Sequence, residues 1–418
     1  MLFRSISQCM ENKMQIYLVG GAVRDMVLQK TPHDRDYVVF GATVEDMLQK
    51  GFKQVGKDFP VFLHPESKDE YALARKEEKI GDKHTSFRFT FGPDITPQED
   101  VVRRDFTCNA LLYDENTQKI IDLVGGVRDI ENKIIRHINA EHFIEDPLRV
   151  LRMCRFAAKL NFAIAPETMD LAKKMVQNGM LNHLTAERIW KEFETAMKTV
   201  YFDKFIIYMR ECGALKVILP EIDVLWQIPE RTDYHPEGNS GAHTLLVLHQ
   251  GANLSPLLKY ALLLHDSGKA KTPPELWPHH HGHDREGRKL VLEISQRLKV
   301  PHEFRDFAVL VAENHMKLRQ IPQMNNITLV KFIRRLSGYK HWQRLLDYIR
   351  ACRCDMFGRA KEISAEQIEE YSVAAASLIR NYRIQRKICA QDMPDFYKLP
   401  KDKNFLQKYN EFRAKHIV

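Results

Sequence analysis

The sequence predicts an α+β fold, with a mixed sheet and its helices in the first third and helices alone over the rest. Strand-length runs at 16–19, 37–40, 60–63, 70–74 and 109–113 fall in a stretch from 14 to about 135. From about 141 to 222 the apolar residues change to three- and four-residue spacing, as in Leu148, Leu151 and Phe156, then Ile189, Phe193 and Met197. A histidine-rich helical block follows from 235 to 315, and the remainder to Val418 is helical and charged. Pro220, Pro229 and Pro236, with Gly238 and Gly241, mark a connecting stretch between the helical blocks. No internal repeat or low-complexity tract interrupts this order.

At 418 residues the chain is too long for one simple core and suggests roughly two to four domains. Hydrophobic content of 44% and charged content of 28% suit a soluble protein, and a net charge of +8 permits a polyanionic partner. No apolar run reaches the length of a membrane span, and MLFRSISQCMENKM is too polar for a signal peptide. The seven cysteines contain no C-x-x-C pair, so reduced thiols in a cytoplasmic compartment are expected.

The first strand, Ile16–Val19, runs into Gly20-Gly21-Ala22-Val23-Arg24-Asp25, where glycines let backbone amides approach a polyphosphate. Arg24 adds a charge that does not titrate. Asp34 and Asp36 then precede Tyr37-Val38-Val39-Phe40, and at i and i+2 on extended chain they share a face. Two such carboxylates can hold a pair of divalent cations for in-line attack on a nucleotide phosphate. A lone D-x-D is commonly a turn, and a lone Gly-Gly likewise; their order here is the specific signal. The pattern lacks the third glycine of G-x-G-x-x-G and the Gly-Lys-Ser/Thr of a Walker A loop. Glu70 is a further carboxylate candidate. Between strands, residues 79–87 read as a mobile polar loop.

Arg103-Arg104-Asp105-Phe106-Thr107-Cys108-Asn109-Ala110 reads either as a solvated basic turn or as a phosphate grip, with Asn109 able to bond a ribose hydroxyl. Asp146 is expected to cap a helix whose first residue is Pro147, with Arg149, Arg152 and Arg155 following at three-residue steps. An Asp–Arg ion-pair face accounts for that pattern, but three arginines for one aspartate leave charge for a phosphate-bearing ligand. Cytosine and adenine both present an exocyclic amino donor beside a ring-nitrogen acceptor. Asp146 accepting from the amino group, with Arg149 donating to the ring nitrogen, would select C and A and mispair with U and G.

These motifs resemble the bacterial multifunctional CCA-adding enzymes, the class II tRNA nucleotidyltransferases, over nearly the whole length from Met14. GGAVRD with DRD is similar to the family's motif for two Mg²⁺ ions, RRDFTCNA to its ribose and phosphate motif, and EDPLRVLRMCRFAA to its amino-acid template. LTAERIWKE, from Leu184 to Glu192, resembles the helix-capping motif of the neck, and 79–87 occupies the place of the loop needed for switching to ATP. The resemblance implies metal binding by Asp34 and Asp36. It also implies ATP or CTP binding through Gly21, Arg24, Arg104, Arg149 and Arg152, with Asp105, Asn109 and Asp146 in the same nucleotide site. The implied layout is an extension at 1–13, a polymerase-β-like head at 14–140, a neck and body at 141–225, an HD domain at 226–335 and a tail at 336–418. The partner would be the acceptor and T-arm half of tRNA, met by a monomer or a homodimer. The first thirteen residues depart from the usual start, which makes Met14 a candidate initiator.

His265-Asp266-Ser267-Gly268-Lys269 follows the apolar run Tyr260–Leu264, and an adjacent His-Asp pair can ligate and bridge metals. His243, His315 and Asp355 are the further ligand candidates. The segment resembles an HD phosphohydrolase domain, which implies phosphatase, 2′-nucleotidase and 2′,3′-cyclic phosphodiesterase activities with Mg²⁺ or Ni²⁺. Ser267 stands where such motifs often have leucine. The run His279-His280-His281-Gly282-His283 reads as an exposed or pocket-lining cluster outside the ligand set. Rival readings are a poly(A) polymerase, a CC-adding enzyme, and an HD phosphohydrolase with a silent tRNA-binding head.

Overall fold

The computed structural model describes residues 14–32, 34–55, 61–79, 87–394 and 403–418. They fall into two compact units, one reaching Leu184 and including Cys212–Ala214, the other made of Thr185–Glu211 and Leu215–Val418.

The first unit is built on a seven-stranded sheet of order β3-β4-β5-β2-β1-β8-β9. Its strands are β1 (Gln15–Val19), β2 (Asp36–Phe40), β3 (Lys53–Gln54), β4 (Val61–Leu63), β5 (Glu70–Leu73), β8 (Leu112–Asp114) and β9 (Lys119–Ile121). Strands β6 (Arg75–Lys79) and β7 (Phe87–Phe91) form a separate antiparallel pair that flanks the expected loop. The loop's residues 80–86 lie outside the described residues, as does the extension at 1–13.

Strand β2 is central, antiparallel to β1 and parallel to β5, which is why Tyr37 to Phe40 are all buried rather than alternating. Val19, Val38, Phe40, Val101 and Leu112 pack together beneath the sheet. Between β1 and the helix Gly21–Val27 the chain turns at Gly20 with φ +68, a conformation open to glycine without strain. The run 109–113 does not form one strand. Thr107–Asn109 make a single 3₁₀ turn, in which the Asn109 amide donates to Phe106 and that of Ala110 to Thr107, and β8 begins only at Leu112. Buried backbone donors there are satisfied locally instead of across the sheet.

The second unit is helical among its described residues, apart from an isolated bridge between Pro229 and Asn239. The helix Pro256–Leu264 is buried from Leu258 onward and packs against His302–Asn314 and Ser240–Gln250. Its end delivers His265 and Asp266 to the interior. The following 3₁₀ turn, Ser267–Lys271, packs on the helix His283–Arg297. A β-carbon on Gly268 would overlap the His283 carbonyl oxygen and the Gly287 amide nitrogen. Glycine is therefore what lets these two backbones meet. Among the described residues no helix is long and apolar enough to cross a membrane, and six described cysteines are free.

Gly268→Ala is expected to lower the stability of the second unit by about 2 kcal/mol or more, because backbone rather than a movable side chain must give way. Thermal unfolding checks this, and an unchanged melting temperature would show that the contact is slack.

Candidate active sites

In the first unit the carboxylates gather at the head of the sheet. Strand β2 begins at Asp36, whereas Asp34 sits in the bend before it, so the two are not successive same-face residues of one strand. The chain leaves the sheet at Arg35, whose guanidinium is drawn away to Glu115. Parallel pairing sets Asp36 directly against Glu70. Desolvation, then Glu70 and Asp34, raise the Asp36 pKa, and Arg104 partly opposes them. Asp36 is thus the carboxyl whose charge a bound divalent cation would relieve, with Asp34 and Glu70 as its acidic neighbours.

Behind them runs a chain of charge-assisted bonds. The Arg24 guanidinium is buried and bonds Asp25 Oδ1 through Nε (3.1 Å) and Nη2 (2.9 Å), while its Nη1 donates to Asn109 Oδ1 at 2.6 Å. Asn109 Nδ2 donates to Asp105 Oδ1 at 3.2 Å, and Asp105 Oδ2 accepts from Arg152 Nε at 2.9 Å and Nη2 at 2.6 Å. Burial of Asp105 favours protonation, but Arg152 prevails and holds its pKa below the ordinary value. Asn109 is thus tied to Arg24 and Asp105 instead of standing clear for a ribose.

The arginine pair is likewise anchored rather than solvated. Asp100, fully buried, accepts from Arg103 Nε at 3.0 Å and from Arg104 Nε at 3.1 Å and Nη2 at 2.8 Å. Burial pushes the Asp100 carboxyl up, yet Arg104 and Arg103 together bring it down to about 2. The helix Pro97–Val102 places Asp100 three and four residues before its partners, a spacing that was readable.

The helix that carries Arg149 starts one residue later than expected, spanning Leu148–Leu160. Asp146 precedes a proline and is extended (φ −119, ψ 102), and its Oδ1 accepts from the Leu148 amide at 3.1 Å, which retains the capping role. The three arginines on this helix are less available than counting against Asp146 implied. Arg152 pairs with Asp105, Arg155 is buried over the Phe156 ring at 4.2 Å, and Arg149 donates to the carbonyls of His142 (2.6 Å) and Arg103 (2.7 Å). Those carbonyls orient Arg149 without neutralising it. Lys159, unremarked in the sequence, titrates low through burial and Arg24, with Asp25 and Asp34 acting in the opposite sense.

In the second unit the predicted ligands meet. His243 Nε2 lies 3.1 Å from Asp355 Oδ1, His265 Nε2 lies 3.8 Å from the same oxygen, and His265 Nε2 is 3.3 Å from Asp266 Oδ2. His315 Nε2 and His283 Nε2 approach Asp266 Oδ1 at 3.5 and 3.6 Å. His283 therefore belongs to the cluster, contrary to the reading of the 279–283 run. That run divides: His279 and His281 are exposed, whereas His280 and His283 are buried by the helix that begins at His283 after Gly282.

The imidazoles are pre-oriented. Nδ1 of His265, His283 and His315 donates to the carbonyls of Leu262 (2.7 Å), His280 (2.7 Å) and Val311 (3.2 Å), which leaves each Nε2 as a lone pair facing inward. Nε2 of His265 and His283, with Asp266 Oδ1, is buried without a hydrogen-bond partner. Acceptors aimed at one another away from any donor call for a cation. His243–His265–Asp355 and Asp266–His283–His315 form three-ligand groups joined through the His265-Asp266 pair, and His235–Glu237–His243 is a third such group among the described residues.

His243 also meets Glu237 Oε1 at 3.0 Å. Burial opposes its protonation, but hydrogen bonds to Asp355 and Glu237 hold its pKa up to about 9. A metal at Nε2 would take the place of that proton. Burial pushes His315 down to about 4, so it is neutral and able to ligate. Lys269 Nζ bonds Asp266 Oδ2 at 2.8 Å and Glu230 Oε1 at 2.6 Å.

Comparison with known proteins finds a domain match in each of the two units. Residues 16–136 match the poly A polymerase head domain, 161–225 the "probable RNA and SrmB- binding site of polymerase A", and 241–339 the HD domain. A CCA-adding enzyme with ATP superposes with a TM-score of 0.62 at 19% identity, covering 97% of this chain and 86% of the other. The chain has the domains of a poly A polymerase-type nucleotidyltransferase and the fold of a CCA-adding enzyme. The Bacillus stearothermophilus CCA-adding enzyme with CTP gives 0.63 at 21% identity over 97% and 89% of the two chains. The Thermotoga maritima CCA-adding enzyme complexed with tRNA gives 0.61 at 18% over 97% and 87%. Asp355 lies beyond the matched HD segment, and only the folded chain brings it to His243.

Asp100→Ala should destabilise the first unit by about 3–5 kcal/mol, since two guanidinium groups lose a buried partner. The wild-type contribution, from a carboxyl whose folded pKa is about 2 against 3.8, is present above about pH 4 and lost as pH falls through 2. Acid unfolding should show that segment of pH dependence in the wild type and not in the variant.

Proposed function

We propose that this nucleotidyltransferase adds and repairs the 3′-terminal CCA of tRNA in the cytoplasm, using CTP and ATP without a nucleic-acid template. The observation that carries this reading is the chain of bonds from Asp25 through Arg24, Asn109 and Asp105 to Arg152, on the helix that also bears Arg149. The likeness in fold to CCA-adding enzymes bound to ATP, CTP and tRNA supports it. In this reading residues 14–140 act as the head, 141–225 as neck and body, 226–335 as the HD domain and 336–418 as the tail.

Asp34, Asp36 and Glu70 would hold Mg²⁺, which when bound lowers the pKa of the tRNA 3′-hydroxyl and neutralises the departing pyrophosphate. Gly21 lets the nucleotide's phosphates approach the backbone, and Arg24, Arg104 and Arg152, each held by a carboxylate, present fixed positive charge to them. Arg149 is oriented by two carbonyls and donates to the ring nitrogen of the incoming base. Asp146 accepts from the exocyclic amino group, so uracil and guanine would bury mispaired groups.

The second activity we propose is hydrolysis of phosphate esters, including 2′,3′-cyclic and 2′-phosphates, at the HD cluster. His243, His265, Asp266, His315 and Asp355, now with His283, would hold Mg²⁺ or Ni²⁺, which supplies an activated water and polarises the phosphate. Its support is the convergence of buried Nε2 atoms described above.

With a tRNA transcript lacking its 3′ end, Mg²⁺ and labelled nucleotides, the wild type should add C, C and A. A ladder of A, or a stop after two cytidines, would replace the reading with a poly(A) polymerase or a CC-adding enzyme. Asp34→Ala should abolish incorporation while tRNA affinity stays within about twofold, and Asp146→Ala should lose discrimination between CTP and UTP by roughly 10²-fold or more. For the HD cluster, His265→Ala should eliminate Ni²⁺-supported hydrolysis of 2′,3′-cyclic AMP; full activity in that variant would remove the assignment.

A further inference from the structure

A cavity of about 800 Å³ opens beside the HD cluster, with His315 and Asp355 at one end. Its volume is within the range of small-molecule sites. Arg359, one turn of chain past Asp355, also lines it, and the Arg359 Nε is buried without a hydrogen-bond partner. A buried, unsatisfied guanidinium donor beside a cluster suited to cations is a demand for an anion.

The backbone around Arg359 is fixed on three sides. The Gly358 amide donates to Cys354 at 2.8 Å, and a β-carbon on Gly358 would lie 2.6–2.7 Å from Val247 atoms. The Ala360 amide donates to Glu237 Oε2 at 3.2 Å, and Lys361 Nζ donates to the Asp233 carbonyl at 2.8 Å. Glu237 Oε1 meanwhile bonds Nδ1 of His243. One carboxylate therefore sets both a metal-suited imidazole and the segment that carries Arg359.

The rest of the lining has different chemistry. Met316, Leu318 and Tyr371 offer apolar surface, while Glu366 and Glu369 add carboxylates on the helix Ala365–Lys387. Arg319, also in the lining, is paired with Glu370 at 3.2 Å. Such a wall repels a second phosphate and suits a body with apolar faces and hydrogen-bond donors, such as a ribonucleoside with its hydroxyl and amino groups.

We propose that Arg359 is the phosphate-binding residue of the HD site, and that the cavity takes a nucleoside monophosphate, phosphate toward Arg359 and His315 and donors toward Glu366 and Glu369. This rests on the phosphohydrolase reading of the cluster and names the residue that would hold its substrate.

The test uses the full-length protein loaded with Ni²⁺, wild type and Arg359→Gln, with metal content and melting temperature measured on both. Calorimetric titration with inorganic phosphate reads binding, and steady-state hydrolysis of 2′,3′-cyclic AMP reads turnover. Arg359→Gln should retain its metal and stability, bind phosphate roughly ten- to a hundredfold more weakly, and raise KM by a similar factor. Arg359→Lys should recover part of the phosphate affinity. Equal phosphate affinity in the wild type and in a metal-replete Arg359→Gln protein would overturn the proposal, as would a wild type that binds no phosphate. Arg359-dependent phosphate binding in a wild type that hydrolyses nothing would support Arg359 and reject the phosphohydrolase reading instead.

Discussion

Buried carboxylates that fix cationic groups are the constraint on which both units depend. Asp100 holds two adjacent arginines, Asp105 holds Arg152 and Asn109, and Asp266 is held by Lys269. A lone carboxyl at any of these positions would take a proton, because burial disfavours its charge. Paired with guanidinium or ammonium it stays ionised, and the cost of removing both charges from water is offset by geometry. What the pairing produces in the first unit is a set of arginines whose positions are already settled. On the proposed function, less side-chain freedom would then be lost when a nucleotide binds, and the positive charge would be held ready for its phosphates.

The two units solve opposite electrostatic problems. In the first, Asp36 is raised by desolvation and by its carboxylate neighbours, and Arg104 only partly compensates. In the second, imidazole lone pairs face a carboxylate, and each ring is held from behind by a backbone carbonyl or by Glu237. Carboxylates alone suit a hard, oxygen-seeking ion such as Mg²⁺, and mixed imidazole and carboxylate sets also suit a borderline ion such as Ni²⁺. The donor chemistry of each cluster thus fits a different range of metals.

Much of this was readable in the chain. The glycine turn, the D-x-D pair and the His-Asp pair are local, and their residues stand next to the elements that place them. The sheet's central strand and the periodicity of Leu148–Leu160 were also plain. What escaped reading depends on pairing across the chain. Glu70 is a candidate from the sequence, but its place directly against Asp36 comes only through parallel register, which no local pattern encodes. The run at 109–113 looked like one strand because apolarity does not reveal where buried amides find acceptors. His283 was set aside because four histidines in five residues resemble an exposed run, whereas a helix start and a close approach at Gly268 bury it. Nothing local marks Glu237, since what distinguishes it is the pair of partners it meets on folding.

Glu237 carries a consequence of its own. Its two oxygens serve two clients, an imidazole of the metal cluster and a main-chain amide of the cavity wall. The segment 233–237 therefore behaves as a brace, and the two parts it joins cannot be adjusted separately. Natural variation in that loop would act on the cluster and on the cavity lining together, so a change in what the cavity accepts has to begin elsewhere in that lining, as at Glu366 and Glu369.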